Sequence, residues 1–172
     1  MRLRMGFACV AVSMLFAQAA VAAPVNYDCD TPAGNFSELS QVQAGPAYSV
    51  RGSITAMQWR DDRRWASLGQ IRLENGDRSR SIALKVTRQP RETQAAIEVT
   101  LQGEGEPRTE TLGTVGLNQA VPFELRLNPA GEGEVVLGGQ RRTFRLNLGP
   151  NAKVQVICST GEYLFSGFDF GN

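Results

Sequence analysis

Residues 121–170 read VPFELRLNPAGEGEVVLGGQRRTFRLNLGPNAKVQVICSTGEYLFSGFDF, and this stretch decides the fold. Phe123, Leu125 and Leu127 alternate with Glu124 and Arg126. Val135 and Leu137 follow a glycine-rich turn. Phe144, Leu146 and Leu148 alternate with Arg145 and Asn147, and Val154, Val156 and Cys158 alternate with Gln155 and Ile157. Side chains of a strand point to opposite faces with period two, so each run has one apolar and one mostly polar face. The pattern predicts four antiparallel strands in a row, one face on a core and the other towards water.

Upstream of this block the same signature recurs, and no segment shows helical periodicity. Val25–Cys29 reads as a short strand, 30–34 as a turn and Asn35–Val42 as a weak strand. Tyr48–Trp59 is a long strand with Gly52 as a bulge, and Trp65–Leu73 follows a charged loop. Asn75-Gly76 predicts a tight type I′ hairpin, because that turn needs positive φ at both central residues. Ile82, Leu84 and Val86, then Ile97, Val99 and Leu101, then 109–115 continue the series. A closing strand over 162–170 carries Tyr163, Phe165, Phe168 and Phe170. The expectation is an all-β, antiparallel two-sheet jelly-roll sandwich of about a dozen strands, forming a single domain over residues 23–172. The tetrapeptide Gly-Glu-Gly-Glu occurs at Gly103 and Gly131; both copies read as turns rather than as a repeat.

The first 22 residues read as a cleaved signal peptide: Arg2 and Arg4, an apolar run to Ala19, then Ala20-Val21-Ala22. The reading is of an exported chain, periplasmic or extracellular. Removing Arg2 and Arg4 changes 18 basic against 17 acidic residues into 16 against 17, a net charge of −1. Such a balance offers no field for nucleic acid, and no later apolar run is long enough to span a bilayer. Cys29 and Cys158 are the two cysteines that remain. In an oxidising compartment they predict a disulfide between the first strand and the penultimate one.

The order of parts resembles the concanavalin A-like lectin/glucanase jelly roll. The resemblance rests on Trp65-Ala66-Ser67-Leu68-Gly69 leading into Ile71 and Leu73, on 123–127 followed by a turn and 134–139, and on the aromatic closing strand. It implies a fold whose members bind or cleave glycans. The catalytic Glu-x-Asp-x-x-Glu spacing of the glucanase relatives is absent, as is the carboxylate-and-histidine metal site of the legume type.

The chain has no histidine, which removes imidazole acid–base work and His-ligated zinc. Carboxylate chemistry or plain binding remains. A glycosidase needs two carboxylates across the scissile bond; Glu104 with Glu106 lies in a glycine turn, and Glu98 with Glu110 would have to meet from separate strands. Asp28, Asp30 and Asp169 would begin a calcium site only if the chain ends gather them, and otherwise read as solvated carboxylates. The most distinctive local feature is Trp59-Arg60-Asp61-Asp62-Arg63-Arg64-Trp65. Indole faces stack on sugar rings, while carboxylates and guanidiniums bond hydroxyls, so Trp59, Asp61, Asp62, Arg63, Arg64 and Trp65 form the candidate ligand site. The alternative is a solvated tip with both indoles in the core. Arg51, Arg72, Arg126 and Arg145 read as a soluble sheet face. The expectation is therefore a non-catalytic module without metal or cofactor that binds a polysaccharide or another envelope component. Rival readings are a structural or interaction protein of the envelope (pilin-like or an inhibitor) and a divergent glycoside hydrolase.

Overall fold

A computed structural model describes residues 24–43, 45, 47–103 and 105–169. The expected signal peptide, Glu104 and Phe170 lie outside the described residues. The described residues form ten strands: β1 Val25–Val42, β2 Tyr48–Trp59, β3 Ser67–Glu74, β4 Ser81–Arg88, β5 Ala95–Gln102, β6 Arg108–Val115, β7 Ala120–Leu127, β8 Glu132–Leu137, β9 Gln140–Arg145 and β10 Lys153–Asp169. Every ladder is antiparallel, in the order β6-β5-β4-β3-β10-β2-β7-β8-β9, with β1 on β10.

The two layers follow from a change of partner along β10. Its first part, Lys153–Ser159, pairs with β3, and from Gly161 onwards it pairs with β2. β1 accompanies it on the other side, with its register broken between Thr31 and Phe36. At the bend Thr160 and Gly34 have φ of 53° and 74°. One layer is thus β6-β5-β4-β3 with the first half of β10 and the second half of β1. The other is β9-β8-β7-β2 with the remaining halves.

Ile71, Leu73, Ile82, Leu84, Val154 and Val156 of one layer and Val50, Ile54, Leu125, Val135, Tyr163 and Phe165 of the other are buried in a single core. Leu146 and Leu148 join it from the segment after β9. Cys29 and Cys158 are bridged, with Cα atoms 6.2 Å apart. Because Cys29 lies before the bend of β1 and Cys158 before the bend of β10, the bridge ties the two layers together at their shared corner.

Several local expectations change. The turn predicted at 30–34 is a bend within one strand, and the closing strand is continuous with the strand that carries Cys158. Only three of the four expected neighbours, β7, β8 and β9, are consecutive in one layer; the fourth crosses to the other. The hairpin after Asn75 is a longer loop in which Arg78, not Gly76, takes positive φ (62°). Asn75 closes that loop, its Oδ1 accepting from Arg80 N at 2.9 Å. The irregularity expected at Gly52 lies on its β10 side, where the register shifts between Ser166 and Asp169, while the ladder with β7 is unbroken; Gly52 also leaves room for Ser166 O and the Phe123 ring, which a Cβ would approach at 3.0 and 3.1 Å. Phe144 is only partly buried, its ring lying over Gly133 at the sandwich edge.

Candidate functional site

Residues directly opposite in an antiparallel ladder share a face. Following the register across the first layer therefore gives rows on its outer surface: Phe36, Ser159, Leu68 and Thr87; then Glu38, Ile157, Gln70, Lys85, Glu98 and Thr111; then Ser40, Gln155, Arg72, Ala83, Thr100 and Thr109. A cavity of about 660 Å³ opens on this surface, lined by Phe36, Arg64, Trp65, Lys85, Thr87 and Glu98 among others. Phe36 and Trp65 stand at its wall with rings 8° from parallel and centroids 6.1 Å apart. They are 60% and 40% exposed.

The polar groups of this surface are incompletely engaged. The Lys85 amine makes no hydrogen bond or ion pair among the described residues. Burial holds its pKa below the ordinary lysine value, against the opposing pull of Glu98 and with the help of Arg72. Thr87 Oγ1 is buried and unbonded. Farther along, Gln155 donates to Glu38 at 2.7 Å and leaves its own Oε1 without a partner. That bond is the main cause of a lowered Glu38 pKa, and Lys153 at 3.1 Å adds to it. Arg72, expected as solvent decoration, lies 3.2 Å from the buried carboxylate of Glu74.

The opposite layer carries a cavity of about 630 Å³ lined by Arg126, Glu132, Glu134, Phe144 and Arg145. Its charges are already paired: Arg126 with Glu124, Arg141 with Glu134 at 2.6 Å and Arg145 with Glu132 at 2.9 Å. A ligand there would have to displace ion pairs. On the first surface it meets the Lys85 amine and the Thr87 hydroxyl, which make no hydrogen bond among the described residues.

The loop 60–66 divides the sequence-derived candidates. Trp59 packs against the core, with the Arg88 guanidinium 5.4 Å from its ring centroid. Asp61 is ion-paired with Arg88, whose hydrogen bond is the main cause of a lowered Asp61 pKa. Asp62 Oδ1 accepts from the backbone N–H groups of Arg64 and Trp65 at 2.8 and 3.1 Å, which fixes the turn. Arg63 is exposed and does not line the cavity. Arg64 and Trp65 do line it. Phe36, Lys85 and Thr87 were missed as site residues, and Glu98 was considered only as a carboxylate partner of Glu110; their sequence signal for this cavity is an outward place in the alternation.

Glu98 and Glu110 do not meet. Glu98 is opposite Thr111, so Glu110 faces the other way and pairs with Arg142 of β9 at 2.7 Å. Asp30 is taken by Arg60 and Asp169 by Arg51.

No protein-family model matches the chain, and no curated protein matches it by sequence. Solved structures do match its fold. An alginate lyase from Alteromonas sp. 272 superposes with a TM-score of 0.55 at 10% identity, covering 73% of this chain and 71% of that one. The carbohydrate binding module CBM66 from Bacillus subtilis gives 0.54 at 9% identity, covering 89% and 98%. Scytalido-glutamic peptidase, with a peptide-based transition state analogue, gives 0.54 at 9%, covering 80% and 74%.

The fold is a jelly-roll β-sandwich. These likenesses are of fold alone, yet they overturn the expectation that the chain is not an enzyme. That expectation rested on missing histidine and a missing glucanase motif. The jelly roll is shared with alginate lyases and a peptidase, so the lack of one family's residues is no ground for excluding catalysis on this scaffold.

Proposed function

We propose that this chain is an exported polysaccharide-binding jelly roll whose site is the cavity on the outer surface of β3, β4, β5, the first half of β10 and the second half of β1. The carrying observation is the coincidence, in one cavity, of the Phe36–Trp65 ring pair with the unpaired Lys85 amine and Thr87 hydroxyl. A sugar ring offers an apolar face to stack and hydroxyls to bond. A wall of parallel aromatics beside unsatisfied polar groups complements both. The carbohydrate-directed names of two like-folded proteins support the reading. Export is supported by the leader-like start of the sequence and by the Cys29–Cys158 bridge.

The test is titration calorimetry of the mature chain against a panel of neutral and acidic polysaccharides, with the length of each polysaccharide measured before and after. Trp65→Ala and Lys85→Ala should keep the parental fold by circular dichroism and weaken binding. Loss of the indole is worth about 1–3 kcal/mol of contact area and stacking. Trp59→Ala should act on stability rather than affinity. Absence of binding across the panel, or parental affinity in both folded cavity variants, overturns the proposal.

A further inference from the structure

We propose that the free edge of β1 is a self-association surface, pairing two copies antiparallel about a two-fold axis at Leu39. Among the described residues β1 forms a ladder with β10 and with no other strand, so the other edge of this 18-residue strand carries no strand. An unpaired edge is a template for another strand, and folds usually blunt it with charge, proline or brevity.

The other two edges of this molecule are blunted. β9 carries Arg141, Arg142 and Arg145. β6 carries Arg108 and Glu110 and has a register shift, and the Arg142–Glu110 pair binds these two edges to each other. The stretch 35–42 of β1 has no proline and one charge, Glu38, which is drawn back onto its own layer by Lys153 and Gln155. Four of the seven exposed large hydrophobic residues among the described residues, Val25, Phe36, Leu39 and Val42, lie on β1.

A second copy of this chain is the occupant that fits, because the pattern is self-complementary. The sequence Phe36-Ser-Glu-Leu39-Ser-Gln-Val42 reads alike in both directions as apolar, polar, polar, apolar, polar, polar, apolar. Centred on Leu39, antiparallel pairing sets Leu39 against itself, Phe36 against Val42, Ser37 against Gln41 and Glu38 against Ser40. Opposite residues share a face, so apolar meets apolar and no two like charges stand directly opposite. A shift by one residue would break every apolar match. The interface is isologous, as a two-fold requires. It also places Val42 of the partner subunit beside Phe36, joining the outer surfaces of two subunits into one continuous floor. That consequence rests on the cavity being the binding site; the dimer itself does not.

Sedimentation velocity of the mature chain across a concentration series should show a reversible dimer. Leu39→Lys, which sets two ammonium groups on the axis, should return it to monomer with an unchanged far-ultraviolet spectrum. Register is read by oxidative cross-linking. Leu39→Cys alone should yield a covalent dimer, Ser37→Cys alone should not, and the double variant Ser37→Cys/Gln41→Cys should. A parent that stays monomeric at every concentration, or a folded Leu39→Lys variant that dimerises like the parent, sinks the proposal. Cross-linking of Ser37→Cys alone sinks the register. Glycan titration of the Leu39→Lys monomer separates the two proposals, since binding with loss of dimer leaves the cavity reading standing.

Discussion

Replacing Gly69 by alanine tests how closely the two layers are fitted. Gly69 is on β3, and its missing side chain leaves space for the ring of Tyr163 from the second half of β10. A Cβ built there would stand 2.4 Å from Cδ1, 2.9 Å from Cε1 and 3.0 Å from Cγ of that ring. The ring has little room to retreat, because Tyr163 is wholly buried and its hydroxyl is bonded to Ser67 Oγ at 2.9 Å. Burial also raises its pKa to about 12, so the phenol stays neutral at ordinary pH.

Overpacking of this kind costs about 1–3 kcal/mol. Pulling the buried hydroxyl from its partner adds about 1–3 kcal/mol. Alanine recovers about 0.5–1 kcal/mol of chain entropy relative to glycine in a strand. The net expected loss is about 1–5 kcal/mol, a fall in Tm of roughly 2–20 °C for a domain of this size. Denaturant unfolding followed by fluorescence measures it. In a Tyr163→Ala background the same substitution should cost less than about 1 kcal/mol, because the clash has gone. A Gly69→Ala chain as stable as the parent, or a cost that persists without the ring, would refute the reasoning.

Two further outcomes follow from the corner and the edge. Cys29→Ala/Cys158→Ala should lose up to about 5 kcal/mol, from loop-closure entropy applied to the 129-residue separation; calorimetry of parent and variant checks this, and a difference below about 1 kcal/mol would count against a stabilising bridge. Glu38 has a lowered pKa in the folded chain, so its contribution is present above the ordinary glutamate value and is lost as pH falls through the depressed one. Protection of the amides at 36–42, relative to their intrinsic exchange, should therefore hold in mild acid and fall only below pH 4.5, and Glu38→Gln should flatten that dependence; a protection profile identical in both chains goes against the clamp.

The alternation of 121–158 determined that this protein is an antiparallel β-sandwich, and the pairing of Phe123, Leu125 and Val135 in one core follows from period two alone. The cysteine pair was equally legible, because two cysteines left in a chain read as exported have one partner each. Trp65 was visible as an aromatic beside charge. Period two says which face a side chain takes, but not which strands adjoin, and this is why the rest was hidden. Phe36, Lys85, Thr87 and Glu98 lie on three different strands, β1, β4 and β5, and meet only through the β1-β10-β3-β4-β5 order. Trp59 and Trp65 look equivalent in the sequence, yet Arg88, brought from β4, draws one of them onto the core. The bend of β1 had the look of a turn and that of β10 of a gap between two strands, since Gly34 and Gly161 read the same whether a chain reverses or only changes partners. Packing of two layers around one corner decided that, and with it where the cavity lies.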